Sequence, residues 1–225
     1  MPNAPVVHLE VWSDIACPWC YIGKRSLDEA LALVDVPVEV TWRSYELDPS
    51  APPSYGRTMP ELLAKKYGGT IEQARAGMAR VEAAAADRGL EYHLEDAKAG
   101  NTLAWHRAVK LAERSGLGFE LMSRLFEAYL AEGVDLSTPE ALAEQAERVG
   151  LSRDEVLAFL ETDELTDVVR AEEAEAMELG ISGVPAFVAE RSYVVNGAQP
   201  PEVLAGFIMR VHAMAEADAA SAGEA

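Results

Sequence analysis

The residues best suited to covalent chemistry are the chain's two cysteines, Cys17 and Cys20, which are separated only by Pro18 and Trp19. Residues i and i+3 in the first turn of a helix lie side by side, and their Cα separation suits an unstrained disulfide. A helix N-terminus carries partial positive charge and unpaired N–H groups, which stabilise a thiolate there. The pattern predicts a redox pair in which Cys17 attacks and Cys20 resolves the mixed disulfide.

Two other interpretations of the cysteines are a zinc half-site and a pair of idle core thiols. A structural zinc site usually takes about four ligands. The histidines are scattered along the chain and show no spacing that pairs them with the cysteines: His8, His93, His106 and His212. We therefore expect no metal and no organic cofactor, with glutathione at most a redox partner.

The composition and charge exclude several classes of protein. With 225 residues, 49% of them hydrophobic and 25% charged, the chain matches an ordinary globular protein. It has no apolar run long enough to span a bilayer. A net charge of -19 repels phosphate, so nucleic acid and anionic membranes are poor partners. The N-terminus lacks the pattern of a secretory signal, which predicts a cytoplasmic location.

The segments around the cysteines are predicted to form a strand, a helix and a second strand, and these elements must position the pair. Residues 6–13 are short, apolar and β-branched, and residues 37–47 alternate between polar and apolar side chains. Between them, Cys17 and Pro18 open a helical pattern that runs to about Val34, since proline is well tolerated in a first turn. Parallel strands with a right-handed crossover are the default for such a unit. Cys17 is therefore expected at or beside a helix N-cap.

Helical patterns dominate the middle of the chain, from Thr58 to about Leu179. Capping boxes are predicted where Thr58 precedes Glu61 and where Ser137 precedes Glu140. Glycines and prolines divide the segment into six or seven predicted helices, and no repeat of constant period is present.

Strand signals return near the end of the chain. Residues 184–189 and 193–195 flank a short polar turn and predict a β-hairpin, and an amphipathic helix follows from Pro201 to about Met214. We expect an α/β fold whose βαβ and ββα halves are separated by a large all-helical insertion. The predicted boundaries are 1–57 and 181–215 for the two halves, 58–180 for the insertion and 216–225 for a flexible tail.

Five segments, in order and spanning nearly the whole chain, carry a family resemblance: Trp12–Gly23, Tyr45–Pro49, Asn101–Arg107, Gly183–Phe187 and Asn196–Pro200. With them the chain resembles the thioredoxin-fold oxidoreductases of the DsbA superfamily, in particular its FrnE-like branch. The resemblance implies a thioredoxin fold and a dithiol/disulfide site that exchanges disulfides with protein or small thiol substrates. It also implies a recycling reductant or oxidant as a partner.

The resemblance further implies roles for residues outside the cysteine pair. A cis bond between Val184 and Pro185 would place that loop against the cysteines, where its backbone holds substrates. Asn101 and His106 match a family segment thought to face the cleft. Periodicity places His106 opposite the apolar side of its helix, so we expect a solvent-exposed or cleft-edge histidine, with substrate contact as the alternative.

The residues between the cysteines, Pro18 and Trp19, are expected to contact substrate, with Trp19 exposed. Superfamily relatives include 2-hydroxychromene-2-carboxylate isomerases and kappa-class glutathione transferases, which typically place a serine at the position of Cys17 and activate glutathione. Two thiols favour disulfide chemistry, with a glutathione-dependent isomerase or transferase, or a non-enzymatic binding protein, as alternatives. The sequence leaves the substrate, the direction of electron flow and the oligomeric state open.

Overall fold

A computed structural model describes residues 5–222 of the chain. Within that range the chain forms four strands and nine helices. In chain order the elements are β1 (Val7–Ser13), α1 (Pro18–Leu33), β2 (Val38–Ser44), α2 (Met59–Tyr67), α3 (Ile71–Ala86), α4 (Leu103–Glu113), α5 (Gly118–Leu130), α6 (Pro139–Arg148), α7 (Arg153–Leu160), α8 (Thr166–Glu178), β3 (Ala186–Ala189), β4 (Tyr193–Asn196) and α9 (Pro201–Ala222). No helix in the described range is both long and apolar enough to cross a membrane.

The two halves of the chain meet in one sheet with the strand order β2-β1-β3-β4. Strand β1 runs parallel to β2, with Val7 opposite Val38, and antiparallel to β3, with Trp12 opposite Ala186. Strand β4 continues the sheet antiparallel to β3. The predicted α/β fold with separated βαβ and ββα halves is confirmed.

Alternation along β1 sends its side chains to two different layers. Val7, Leu9 and Val11 are almost fully buried against a layer that includes Leu27 of α1 and Ile208 of α9. Helices α1 and α9 therefore cover one face of the sheet. This packing fixes the axis of α1, and with it the position of the helix N-terminus.

The other face of the sheet is covered by α8 and a buried polar cluster. The indole N–H of Trp12 donates to the main-chain carbonyl of Glu172 at 2.9 Å. The Glu172 carboxylate accepts from the Ser44 amide at 2.7 Å and lies 2.9 Å from the Lys110 ammonium and 3.2 Å from the Arg43 guanidinium. Burial alone would raise the pKa of Glu172, but the charge and hydrogen bonds of Lys110 and Ser44 hold it below its usual value.

The helices α2–α8 lie between β2 and β3, a stretch that the structure describes throughout. Their number, seven, agrees with the predicted six or seven helices. Buried aromatic side chains such as Trp105, Phe126 and Tyr129 form their core. The same cluster includes Cys17 and Cys20, so the cysteines lie where the sheet meets the helical core.

Two helix caps test the capping predictions directly. Thr58 and Glu61 form the expected capping box at the start of α2. For α6, the expected cap at Ser137 is wrong, because Thr138 is the N-cap and its hydroxyl accepts from a main-chain amide three residues on. Pro139 occupies the first helical turn, which fits a cap at the residue directly before it.

The predicted end of the last helix near Met214 is also wrong. Helix α9 continues to Ala222, so most of the predicted flexible tail, 216–225, is helical, and its residues 223–225 lie outside the described range. Alanine makes up most of this stretch, and alanine is the strongest helix former. This stretch lacks an apolar stripe because it is the exposed end of a helix, and not because it is a coil.

Candidate active site

Cys17 is the N-cap residue of α1, and Pro18 follows in the first turn. The Cys17 backbone is extended, at φ -89° and ψ 112°, as is usual for an N-cap. Its amide donates to the Asp14 carbonyl at 3.0 Å, and its carbonyl accepts from the Cys20 amide at 3.0 Å. The predicted place of Cys17 at the helix N-terminus is confirmed.

Both cysteines are free thiols, and both are shielded from solvent. Cys17 is 4% exposed and Cys20 is 0% exposed. Burial raises the pKa of the Cys20 thiol well above its ordinary value of 9.0, and the hydrogen bond and charge of Cys17 add to the effect. Cys20 therefore stays protonated near neutral pH, as befits the shielded member of the pair.

The loop that precedes β3 closes over the first cysteine. The Cys17 Sγ lies 3.7 Å from the main-chain oxygen of Val184, and the Val184–Pro185 peptide bond is cis. On the other side of this loop, α1 presents Gly23. A Cβ atom at Gly23 would lie only 2.8 Å from Cγ of Pro185, so only glycine allows this approach of the helix to the loop.

Aromatic residues secure the segment between the cysteines. The Tyr92 hydroxyl donates to the main-chain oxygen of Pro18 at 2.8 Å, and burial raises the pKa of Tyr92. Tyr21 stacks on Phe126, with ring centroids 5.0 Å apart. Trp19, in contrast, is 43% exposed, so its predicted exposure is confirmed.

A cleft of about 1040 Å³ opens beside the cysteine pair. Cys17, Pro18, Trp19 and Val184 all line it, so the structure brings these four predicted site residues together. The opposite wall comes from α2 and α3 and is largely apolar. Its apolar members include Met59, Leu62, Leu63, Met78 and Val81.

Asp14 is a site residue that the sequence analysis did not select. It also lines the cleft, yet it is only 1% exposed. Its carboxylate accepts from the Ala16 amide at 3.0 Å and from the Leu47 amide at 2.7 Å. Asp14 thus ties the loop before Cys17 to the segment that follows β2. Its only sequence signal is its place three residues before Cys17.

The expectation of an exposed or cleft-edge His106 is wrong. His106 is 4% exposed, and its Nε2 lies 3.5 Å from the Asp14 carboxylate. Periodicity misled because α4 is covered on more than one side: Arg107 and Lys110 are buried as well. His106 does not line the cleft, and the substrate contact that the resemblance implies for it stays a prediction.

Asn101 has a structural partner of its own. Its side-chain amide donates to the Glu46 carboxylate at 2.9 Å, and its carbonyl oxygen accepts from the Leu103 amide at 3.0 Å. Asn101 is not among the residues that line the cleft. The residue supports the segment after β2 and the start of α4, while its predicted substrate contact has no support in this geometry.

Comparison with known proteins identifies relatives that share this fold. Residues 8–209 match the DSBA-like thioredoxin domain. The chain is similar to the probable DsbA oxidoreductase SCO1869 from Streptomyces coelicolor, with 40% identity, 91% of this chain and 89% of that chain covered, and a TM-score of 0.87.

More distant structures share the fold. The cytosolic disulfide reductase DsbM from Pseudomonas aeruginosa, solved with GSH, is 19% identical, with 94% of this chain and 98% of that chain covered and a TM-score of 0.61. A 2-hydroxychromene-2-carboxylate isomerase is 13% identical, with 97% and 99% covered and a TM-score of 0.63. The match over residues 8–209 settles the family: the chain belongs to the DSBA-like thioredoxin domain family.

Proposed function

We propose that the protein is a thiol–disulfide oxidoreductase that uses Cys17 as nucleophile and Cys20 as resolving thiol. The observation that carries the proposal is the placement of Cys17 at the N-terminus of α1, on the wall of the cleft, with Cys20 buried one turn later. The helix N-terminus stabilises the attacking thiolate. The similarity to a probable DsbA oxidoreductase supports the same chemistry.

In the reducing direction, the Cys17 thiolate attacks one sulfur of a substrate disulfide and releases the other sulfur as a thiolate. The Cys20 thiolate then attacks the Cys17 sulfur and breaks the mixed disulfide. The substrate gains two electrons, and the two protons of the enzyme thiols end on the released substrate thiols. The oxidising direction is the reverse of these steps, and a separate dithiol or disulfide partner recycles the pair.

The substrate side of the site would be formed by three predicted residues. Pro18 and Trp19 line the cleft next to the nucleophile, and Trp19 offers an exposed apolar surface. The main chain at Val184 lies against the Cys17 sulfur, in the position from which it would hold a bound substrate. A cytoplasmic setting is part of the proposal, and the fold of a protein described as a cytosolic disulfide reductase fits it.

The test is a redox titration of the pair in glutathione buffers, followed through tryptophan fluorescence, to which Trp19 between the cysteines contributes. Because the chain has two cysteines, no third thiol competes for oxidation. A single two-electron transition is expected, and a midpoint near about -120 mV would indicate an oxidant, whereas about -270 mV would indicate a reductant. Cys17→Ser should abolish turnover, and Cys20→Ser should accumulate a mixed disulfide visible by intact mass.

The redox titration and the cysteine variants also test the glutathione-dependent alternative. An isomerase or transferase would bind glutathione saturably, show no two-electron transition, and keep its turnover in Cys20→Ser. A non-enzymatic binding protein would suppress aggregation of an unfolded client equally well with both cysteines replaced by serine. Full disulfide-exchange activity in Cys17→Ser would overturn the proposal.

A further inference from the structure

The cleft beside Cys17 differs in charge from the rest of this acidic molecule. The chain carries 38 acidic and 19 basic residues. Most cations elsewhere are neutralised by carboxylates: Arg124 lies 2.9 Å from Glu127, and Arg148 lies 2.9 Å from Glu144. Four cations line the cleft, and within the described residues none of them has a carboxylate within 4.0 Å: Arg57, Lys65, Lys66 and Arg80.

The carboxylates near these cations are already engaged in other hydrogen bonds. Asp48, which also lines the cleft, accepts from the hydroxyls of Ser50 at 2.7 Å and Tyr55 at 2.8 Å. Glu61 is committed to the capping box of α2 through its bonds to Thr58. The ammonium and guanidinium groups therefore stay available to a ligand that enters the cleft.

The shape of the cleft restricts which ligand can use these groups. Its volume of about 1040 Å³ is at the upper end of small-molecule pockets. Apolar side chains such as Trp19, Leu63 and Val81 form much of its wall. Cys17 is only 4% exposed, so a sulfur atom must enter the cleft to reach it, which a small disulfide does more readily than a disulfide within a folded protein.

We infer that the cleft selects small disulfides or thiols with an apolar body and two or more negative charges. This inference rests on the proposed function and names its substrate class. The apolar wall would bury the body of the ligand, and the unpaired cations would hold its anionic groups. Because the rest of the surface repels anions, the cleft is also where an anionic ligand is attracted. The reaction is the exchange written above: substrate disulfide to two thiols, and the enzyme dithiol to a disulfide.

Two aromatic disulfides separate charge recognition from reactivity. The probes are 5,5′-dithiobis(2-nitrobenzoate), which carries two carboxylates, and 4,4′-dithiodipyridine, which is uncharged at neutral pH. The reduced protein is mixed with each probe at low ionic strength, and the second-order rate constant is measured by stopped-flow absorbance. The ratio of the two constants, compared between protein variants, cancels the intrinsic reactivity of Cys17 and of each probe.

The variant Lys65→Gln/Lys66→Gln should lower the rate with the dianionic probe about tenfold and leave the rate with the neutral probe within about twofold. The matched control is Arg153→Gln/Arg210→Gln, which removes the same charge from two exposed cations that do not line the cleft. The control should leave the ratio unchanged. Added salt should remove the difference in this ratio between the wild-type protein and the cleft variant, since screening limits electrostatic attraction to a range of about 8 Å at 0.15 M ionic strength.

Each other outcome has one meaning. Equal effects of the cleft variant and the control would overturn the charge selection and assign any loss to net charge alone. The inference would also be overturned if the ratio of the two rate constants stayed unchanged in the cleft variant, in the control and in a further cleft variant, Arg57→Gln/Arg80→Gln. That result would leave the exchange chemistry intact. If the wild-type protein reacts no faster with the neutral probe than Cys17→Ser does, the proposed function itself fails.

Discussion

The contact between Gly23 and Pro185 makes a quantitative prediction for Gly23→Ala. A Cβ at this position would lie 2.8 Å from Cγ of Pro185 and 3.4 Å from Cζ of Phe187, and both residues are buried. Inserting a methyl into a packed core costs about 1–3 kcal/mol, whereas replacing a helical glycine by alanine gains about 0.5–1 kcal/mol. The difference is a net loss of up to about 2.5 kcal/mol in the free energy of unfolding, and we expect about 1 kcal/mol.

The matched control is Gly206→Ala in α9. Gly206 is also helical but exposed, and a Cβ there meets no atom within 4 Å. This variant should gain about 0.5–1 kcal/mol, so the two alanine variants should move the urea midpoint in opposite directions at unchanged slope. In thermal unfolding, each kcal/mol corresponds to a shift of about 2–4 °C for a chain of this size.

The same substitution reports on the active site. If α1 must move away from Pro185, the Val184 oxygen no longer lies 3.7 Å from the Cys17 sulfur. The rate of reaction of Gly23→Ala with a neutral disulfide should therefore fall, while Gly206→Ala keeps the wild-type rate. A stability gain in Gly23→Ala equal to that of Gly206→Ala would refute the reasoning, because it would mean that the contact yields without cost.

Three further predictions follow from buried polar groups. Because burial raises the pKa of Cys20, the decay of a mixed disulfide on the nucleophile should accelerate as pH rises toward and beyond 9.0. The reduced protein should lose stability over the same range, since the unfolded thiol ionises at its ordinary pKa and this favours the unfolded state. A flat decay rate between neutral and alkaline pH would contradict the first expectation, and an unchanged free energy of unfolding over that range would contradict the second. Asp14→Ala leaves the part-buried Ala16 and Leu47 amides without their acceptor and should cost about 2 kcal/mol in urea unfolding, whereas a cost below about 1 kcal/mol would show that water replaces the carboxylate. Glu172→Gln leaves the buried Lys110 with only a partly exposed carboxylate and should cost about 2–3 kcal/mol, with the contribution of the wild-type Glu172 lost as pH falls below 4.5 because its folded pKa is lowered. Cysteine reactivity should stay unchanged in Glu172→Gln, and a lowered reactivity would contradict this purely structural role.

The local signals of the chain were sufficient to predict the strands, the number of central helices as six or seven, and the position of Cys17. The short-range patterns that tertiary contacts did not override are proline and cysteine at the start of α1, the apolar β-branched run of β1 and the alternation in β2. The end of α9 was missed because an alanine-rich exposed helix has no apolar stripe to detect.

The supporting residues of the site were harder to predict because their partners are distant in sequence. Tyr92 lies 74 residues from Pro18, whose carbonyl it binds. Asp14 lies 33 residues from the Leu47 amide. His106 was misplaced for a related reason: the periodicity of one helix shows its apolar side but not which neighbouring elements cover its polar side. Burial of that kind is a property of the assembled fold.

The sheet with α1 and the helices α2 and α3 contribute different parts of the site around the cysteine pair. The sheet and α1 fix Cys17 at a helix N-terminus, and Asp14 and Gly23 hold the adjoining loops in place. The facing wall of the cleft comes from α2 and α3, which make no main-chain contribution to the sheet. The redox potential should therefore depend on residues around α1, and the choice of substrate on the α2–α3 wall. Exchange of side chains on that wall should change which disulfides react while leaving the midpoint potential of the pair as it is.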